Sequence, residues 1–184
     1  PEAKAALEEA VHRVGSIAIV HETLSQAVEE DVDFDEIADR LCGMVAEVTA
    51  MAGRVRIRRQ GSFERLPSET ATPLAMVLTE VLQNAVEHGY DADRSLQHRS
   101  PEPGGPEGEE SGTITVEVAR RGDRLEVAVV DDGRGLPDGF TLDGSTNLGL
   151  SIVRTLVESE LGGRLTLGPA DGGGTRAGID LPVE

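Results

Sequence analysis

The sequence predicts an α+β sandwich, a single mixed sheet covered by helices on one face. Three observations point to it. A chain of 184 residues with 38% hydrophobic residues can bury one core with a short appendage beside it. An amphipathic helical pattern runs from Thr72-Pro73 to about His88. Two strand-like runs follow, Thr113 to Arg120 and Leu125 to Val130, joined as a hairpin at Gly122-Asp123.

The other elements fit around these. Between Ala3 and Val28, the residues Leu7, Ala10, Val14, Ile17, Leu24 and Val28 fall on three- and four-residue steps, a heptad seam in which His21 takes one position. Such a helix needs a partner helix. Asp31 and Asp33 break the pattern, and a second helix is predicted from Phe34 to about Met51. Gly53 to Arg59 alternates Val55 and Ile57 with arginines, as a half-exposed strand does. Thr72 as N-cap and Pro73 in the first turn start the next helix, and Gly89 stops it. Tyr90 to Gly112 carries Pro101, Pro103 and Pro106 among glycines, serines and acids, and is predicted to be a long surface loop. Beyond the hairpin lie a glycine-rich stretch from Asp131 to Asn147, a helix from Leu148 to about Glu160, and two strands around Leu165 and Ile179.

Composition narrows the function. Aromatic residues are 2% of the chain, so the core must be aliphatic and base-stacking platforms are not expected. A formal net charge of -17 repels phosphate backbones, which argues against nucleic acid. An acidic protein still holds a polyphosphate where backbone N–H groups, a helix N-terminus and a divalent cation are supplied locally. Cys42 cannot form an internal disulfide, and its spacing from Ile37, Leu41 and Val45 predicts burial. No apolar run approaches the ~20 residues of a spanning helix. The expectation is a cytoplasmic chain without membrane insertion.

On the helix ending at His88, the residues Glu80, Asn84, Glu87 and His88 fall within about one 100° stripe. Leu74, Val77, Leu78, Val81 and Ala85 fill the adjoining arc that must face the core, so Asn84 sits at its apolar edge. An amide oxygen there can join a Mg²⁺ sphere completed by water and phosphates. Glu80, one turn earlier, can polarise the attacking group. Taken alone, the stripe also reads as an ordinary solvated helix face. Asp131-Asp132-Gly133-Arg134-Gly135 follows the apolar strand directly. A carboxylate at a strand end can accept from an exocyclic amine, and glycines let a flat ring approach the backbone. A plain Asp-Gly turn accounts for it equally well. Asn147-Leu148-Gly149-Leu150-Ser151 leads into a helix whose N–H groups can bind phosphate oxygens. Gly172-Gly173-Gly174-Thr175 precedes the last strand.

The order of these four features resembles the N, G1, G2 and G3 boxes of the GHKL ATP-binding superfamily, over roughly Phe34 to Glu184. Arg13 to Leu24, RVGSIAIVHETL, resembles the second helix of the dimerisation domain in HisKA_2-type sensor histidine kinases. The resemblance implies a Bergerat sandwich over 31–184 and a partial dimerisation domain over 1–30. It implies ATP and Mg²⁺ as cofactors, with Asp131 on adenine and Asn84 on the metal. His88, Gly133, Gly135, Leu148, Gly149, Leu150 and Thr175 would line the nucleotide, and Glu80 would be catalytic. The implied function is a catalytic domain of a two-component kinase that passes the γ-phosphoryl to a histidine, and from there to a response regulator. The full-length kinase would be a homodimer.

Several residues depart from that pattern. Asn147 stands where the family has glycine, and Glu87 where it often has lysine or arginine. Lys4 is the only lysine, which leaves Arg134 and Arg154 as candidate cations by position. His12-Arg13-Val14 matches only the start of the family's acceptor run, and His21 is a seam residue. The acceptor histidine is therefore expected outside this chain, and the fragment is expected not to label itself. The alternatives are an anti-sigma-factor serine kinase, which lacks the heptad helix, a gyrase-like ATPase, which needs a lysine from a downstream domain, and a non-catalytic scaffold.

Overall fold

The computed structural model describes residues 31–50, 55–90, 112–142, 144 and 148–183, with the side chains of 48–50 excepted. The heptad segment with His12 and His21, most of the proline-rich loop and Asn147 lie outside the described residues. The elements in chain order are β1 (Asp31–Asp33), α1 (Phe34–Ala50), β2 (Val55–Gln60), β3 (Arg65–Pro67), α2 (Ser68–Gly89), β4 (Gly112–Arg121), β5 (Arg124–Asp131), α3 (Leu148–Thr155), β6 (Arg164–Pro169) and β7 (Thr175–Pro182). A single π-helical turn, Leu156–Glu160, extends α3.

Among the described residues, five strands form one mixed sheet in the order β2-β4-β5-β7-β6. Within it β2 and β4 pair in parallel, and the β4–β5, β5–β7 and β6–β7 pairs are antiparallel. β1 and β3 make a separate two-stranded ribbon, with Asp31 opposite Pro67. Alternation along the strands sends Ile114, Val116, Leu125, Val127, Val129, Ile179 and Leu181 into the core. There they meet Leu74, Val77, Leu78 and Val81 of α2 and Val153 and Val157 of α3 and its extension. The fold is the α+β sandwich that the sequence predicts, with an aliphatic core. Phe34 and Phe63 are the exception, an edge-to-face pair with centroids 4.8 Å apart. Cys42 is buried among α1 residues as its spacing predicts.

Three local expectations change. The aspartates at 31 and 33 flank a buried Val32 in a paired strand, where the sequence suggests a break. α2 begins at Ser68, not Thr72, and carries Pro73 inside it. Burial of Ala71, Leu74 and Ala75 outweighs the single backbone bond that proline removes. The helix predicted from Leu148 to Glu160 is α-helical only to Thr155. In its π turn, Leu161 N–H donates to the Leu156 carbonyl at 2.9 Å.

Candidate functional site

A cavity of about 740 Å³ opens between α2, the sheet and the segment that follows β5, within the ~300–1,000 Å³ usual for small-molecule sites. Its floor is aliphatic, from Val129, Leu165, Leu167 and Ala177 of the sheet and Val81 and Ala85 of α2. Polar groups enter from a few fixed points. Asn84 and His88 come one turn apart on α2, Asp131 ends β5, and Thr175 begins β7.

Asp131 is buried, with 4% of its surface exposed. Burial pushes its carboxyl above the ordinary carboxylate range, and this is opposed by donation from Gly133 N–H and from the backbone and hydroxyl of Thr175. The Gly133 bond to Oδ1 measures 2.9 Å. Such a group is an acceptor held by neutral donors in a pocket with an aliphatic floor, suited to a ligand N–H.

Asn84 donates its Nδ2 to the Glu80 carbonyl at 2.8 Å. Only the amide nitrogen can make that bond, so the side-chain oxygen is the atom left to meet a cation. Among the described residues no group of three or more His, Cys, Asp or Glu could hold a metal. A magnesium ion beside Asn84 would therefore depend on ligand phosphates and water, which is how this cation is usually held.

The close approach of backbone strands requires two glycines. A Cβ on Gly174, whose φ is 83°, would lie 1.9 Å from the Asp131 carbonyl oxygen. A Cβ on Gly133 would lie 2.6 Å from Cα of Gly89. The first contact seats β7 against the Asp131 turn, and the second seats the end of α2 there.

Residues 69–184 match the model of the histidine kinase-, DNA gyrase B-, and HSP90-like ATPase family, and residues 1–49 match a histidine kinase model. The chain belongs to this ATPase family. The sensor histidine kinase PdtaS of Mycolicibacterium smegmatis is 42% identical over 182 residues, covering 99% of this chain and 34% of that protein. PdtaS of Mycobacterium tuberculosis is also 42% identical over 182 residues, covering 99% and 33%. The histidine kinase domain from the Erythrobacter litoralis EL346 blue-light activated histidine kinase superposes with a TM-score of 0.73 at 25% identity, covering 94% of this chain and 74% of that one. The chain spans about a third of the length of the curated relatives it matches.

Within the family fold, the residues singled out in the sequence separate into two groups. Asn84, His88, Asp131, Gly135, Leu150 and Thr175 line the cavity. Glu80, Gly133, Leu148 and Gly149 do not line it. Glu80 lies one turn before Asn84 on α2 and is buried, with 6% of its surface exposed. Gly133 serves the backbone contact with Gly89, Gly149 is buried in the first turn of α3, and Leu148 is 62% exposed.

Other cavity residues went unmarked in the sequence. Leu136, Pro137 and Phe140 form a wall just beyond the Asp131 turn, and an aromatic in a glycine-rich stretch was the available signal. Leu165 and Leu167 of β6 had no signal beyond strand alternation. Asp132 is structural: it accepts from the Tyr90 hydroxyl and from Thr113 N–H, the latter at 2.8 Å, tying α2 and β4 to the end of β5. No helix of the described residues is long and apolar enough to cross a membrane.

Proposed function

We propose that this chain is the ATP-binding catalytic part of a two-component sensor histidine kinase. It would bind Mg-ATP in the cavity and direct the γ-phosphoryl to a histidine outside residues 1–184. The observation that carries this reading is the buried Asp131 carboxylate at a cavity with an aliphatic floor that Asn84 also lines. Asp131 reads the exocyclic amine of adenine, and the aliphatic floor accepts the ring. Thr175 steadies the carboxylate, and Asn84 offers its oxygen to magnesium at the phosphates. Bound magnesium supplies charge neutralisation of the triphosphate. Glu80, one turn before Asn84 on α2, would be the general base that takes the proton of the attacking imidazole.

Residues 1–30 are read as the second dimerisation helix and 31–184 as the ATP-binding domain. Support for a division at that point comes from Val32, Phe34, Ile37 and Leu41, which share one core with α2. The phosphoryl group would pass on to a response regulator, and the full-length kinase would be a cytoplasmic homodimer. The match of residues 1–49 to a histidine kinase model favours this reading over an anti-sigma serine kinase.

Incubation with γ-labelled ATP tests it. The chain should retain Mg-ADP on titration yet incorporate no label, because His12 lies off the heptad seam and His21 lies in it. Label on either histidine would refute the placement of the acceptor, and failure to bind Mg-ADP would refute the nucleotide site.

A further inference from the structure

The C-terminal end of α2 is fastened to the turn after β5 by neighbouring contacts. Gly89 and Gly133 meet backbone to backbone, too close for any side chain on Gly133. The Tyr90 hydroxyl donates to the Asp132 carboxylate. Between these, Arg134 reaches back to the helix: its N–H donates to the Gly89 carbonyl at 3.3 Å, and its Nε donates to the His88 carbonyl. Carbonyls in the last turn of a helix have no intrahelical donor and carry the negative end of its dipole. A guanidinium there supplies both a donor and a countercharge.

That joint sets the dimensions of the cavity. Asn84 lies one turn before His88 on α2, while Asp131 lies three residues before Arg134, and all four line the same space. The end of α2 abuts Asp131 itself, since a Cβ on Gly89 would come 3.2 Å from Asp131 Oδ1. How α2 seats on residues 131–134 therefore fixes how far the Asn84 amide stands from the Asp131 carboxylate. The two arginines that the sequence offers as cations are thereby separated. Arg154 pairs with Glu158 at 3.2 Å and does not line the cavity.

We infer that Arg134 is a positioning residue for nucleotide binding, which holds the last turn of α2 against the Asp131 turn and so sets the span between Asn84 and Asp131. This rests on the nucleotide-site reading above. It places Arg134 at the end of the cavity where the base is read, not at the phosphates.

Calorimetric titration of the 184-residue chain with Mg-ADP and with Mg-AMP-PNP tests it on Arg134→Met, Arg134→Lys and Arg154→Met. Methionine keeps the length of the stem and has no donor, so both nucleotides should bind about tenfold more weakly. Lysine keeps a donor and the charge, and should restore binding to within about threefold. Arg154→Met should bind as the unmutated chain does. The magnesium dependence of binding should be the same in all of them. Equal binding by Arg134→Met, or a larger loss for AMP-PNP than for ADP, overturns the inference. Absence of binding by the unmutated chain instead overturns the nucleotide reading, and this inference with it.

Discussion

Two corners of the molecule are built around aspartates, and they treat the carboxylate in opposite ways. Where α1 meets β2, Arg59 donates its Nε and one terminal nitrogen to the two oxygens of Asp39, each at 2.9 Å. Its other terminal nitrogen reaches the Gly61 carbonyl at 2.6 Å and Asp35 at 2.8 Å. Hydrogen bonding to Arg59 holds the Asp39 carboxyl below the ordinary range. Where β5 meets α2, Asp131 is held by Gly133 and Thr175, which are neutral, and burial drives its carboxyl above the ordinary range. An acid given its own guanidinium is architecture. An acid buried among neutral donors costs the fold stability, and the proposed nucleotide contact would give a reason for keeping it.

Asp131→Asn should separate the two corners most severely. Its loss of the carboxylate should weaken Mg-ADP binding by at least about 100-fold, since a site built to pair a ligand N–H loses both acceptor geometry and charge. Thermal unfolding of the same variant should not be lowered, because a buried charge has been removed. A melting temperature that falls together with the affinity would place Asp131 with Asp39 as a structural acid. At the other corner, Arg59→Met should leave nucleotide affinity unchanged and lower unfolding stability by about 2 kcal/mol, read by denaturant titration.

Acid separates the corners again. Asp39, with its carboxyl held low by Arg59, contributes stability that is present above the unfolded value of 3.8 and is lost as pH falls through the lower folded value. Asp131 runs the other way. The folded chain takes up its proton above 3.8, so acidification first favours the folded form at this group while removing the carboxylate that the proposed base contact would use. Mg-ADP affinity measured from neutral pH downward should therefore fall before unfolding begins. Simultaneous loss would mean that the two corners titrate as one.

Much of this was legible in the sequence, and the gaps have physical causes. The period of Val77, Val81 and Ala85 marks the buried arc of α2 and leaves Asn84 at its edge, as found. The Asp131 to Gly135 turn was visible because an apolar strand precedes it. Its glycines were less so: Gly133 admits Gly89, and Gly174 admits the Asp131 carbonyl, contacts between segments remote in the chain. The burial of Glu80 escaped for the same reason, since periodicity assigns a helix face without saying what packs on it. Arg134 and Arg154 look alike in sequence. Only the fold shows one bonded to the end of α2 and the other paired with Glu158.

In the proposed site Asp131 accepts an amine N–H from the bound base. Titration of the unmutated chain with Mg-ADP and Mg-IDP tests it most directly, because inosine carries a carbonyl oxygen where adenine carries the amine. IDP should bind at least about 100-fold more weakly, as acceptor would face acceptor in a buried site. Equal affinity for the two nucleotides would contradict it.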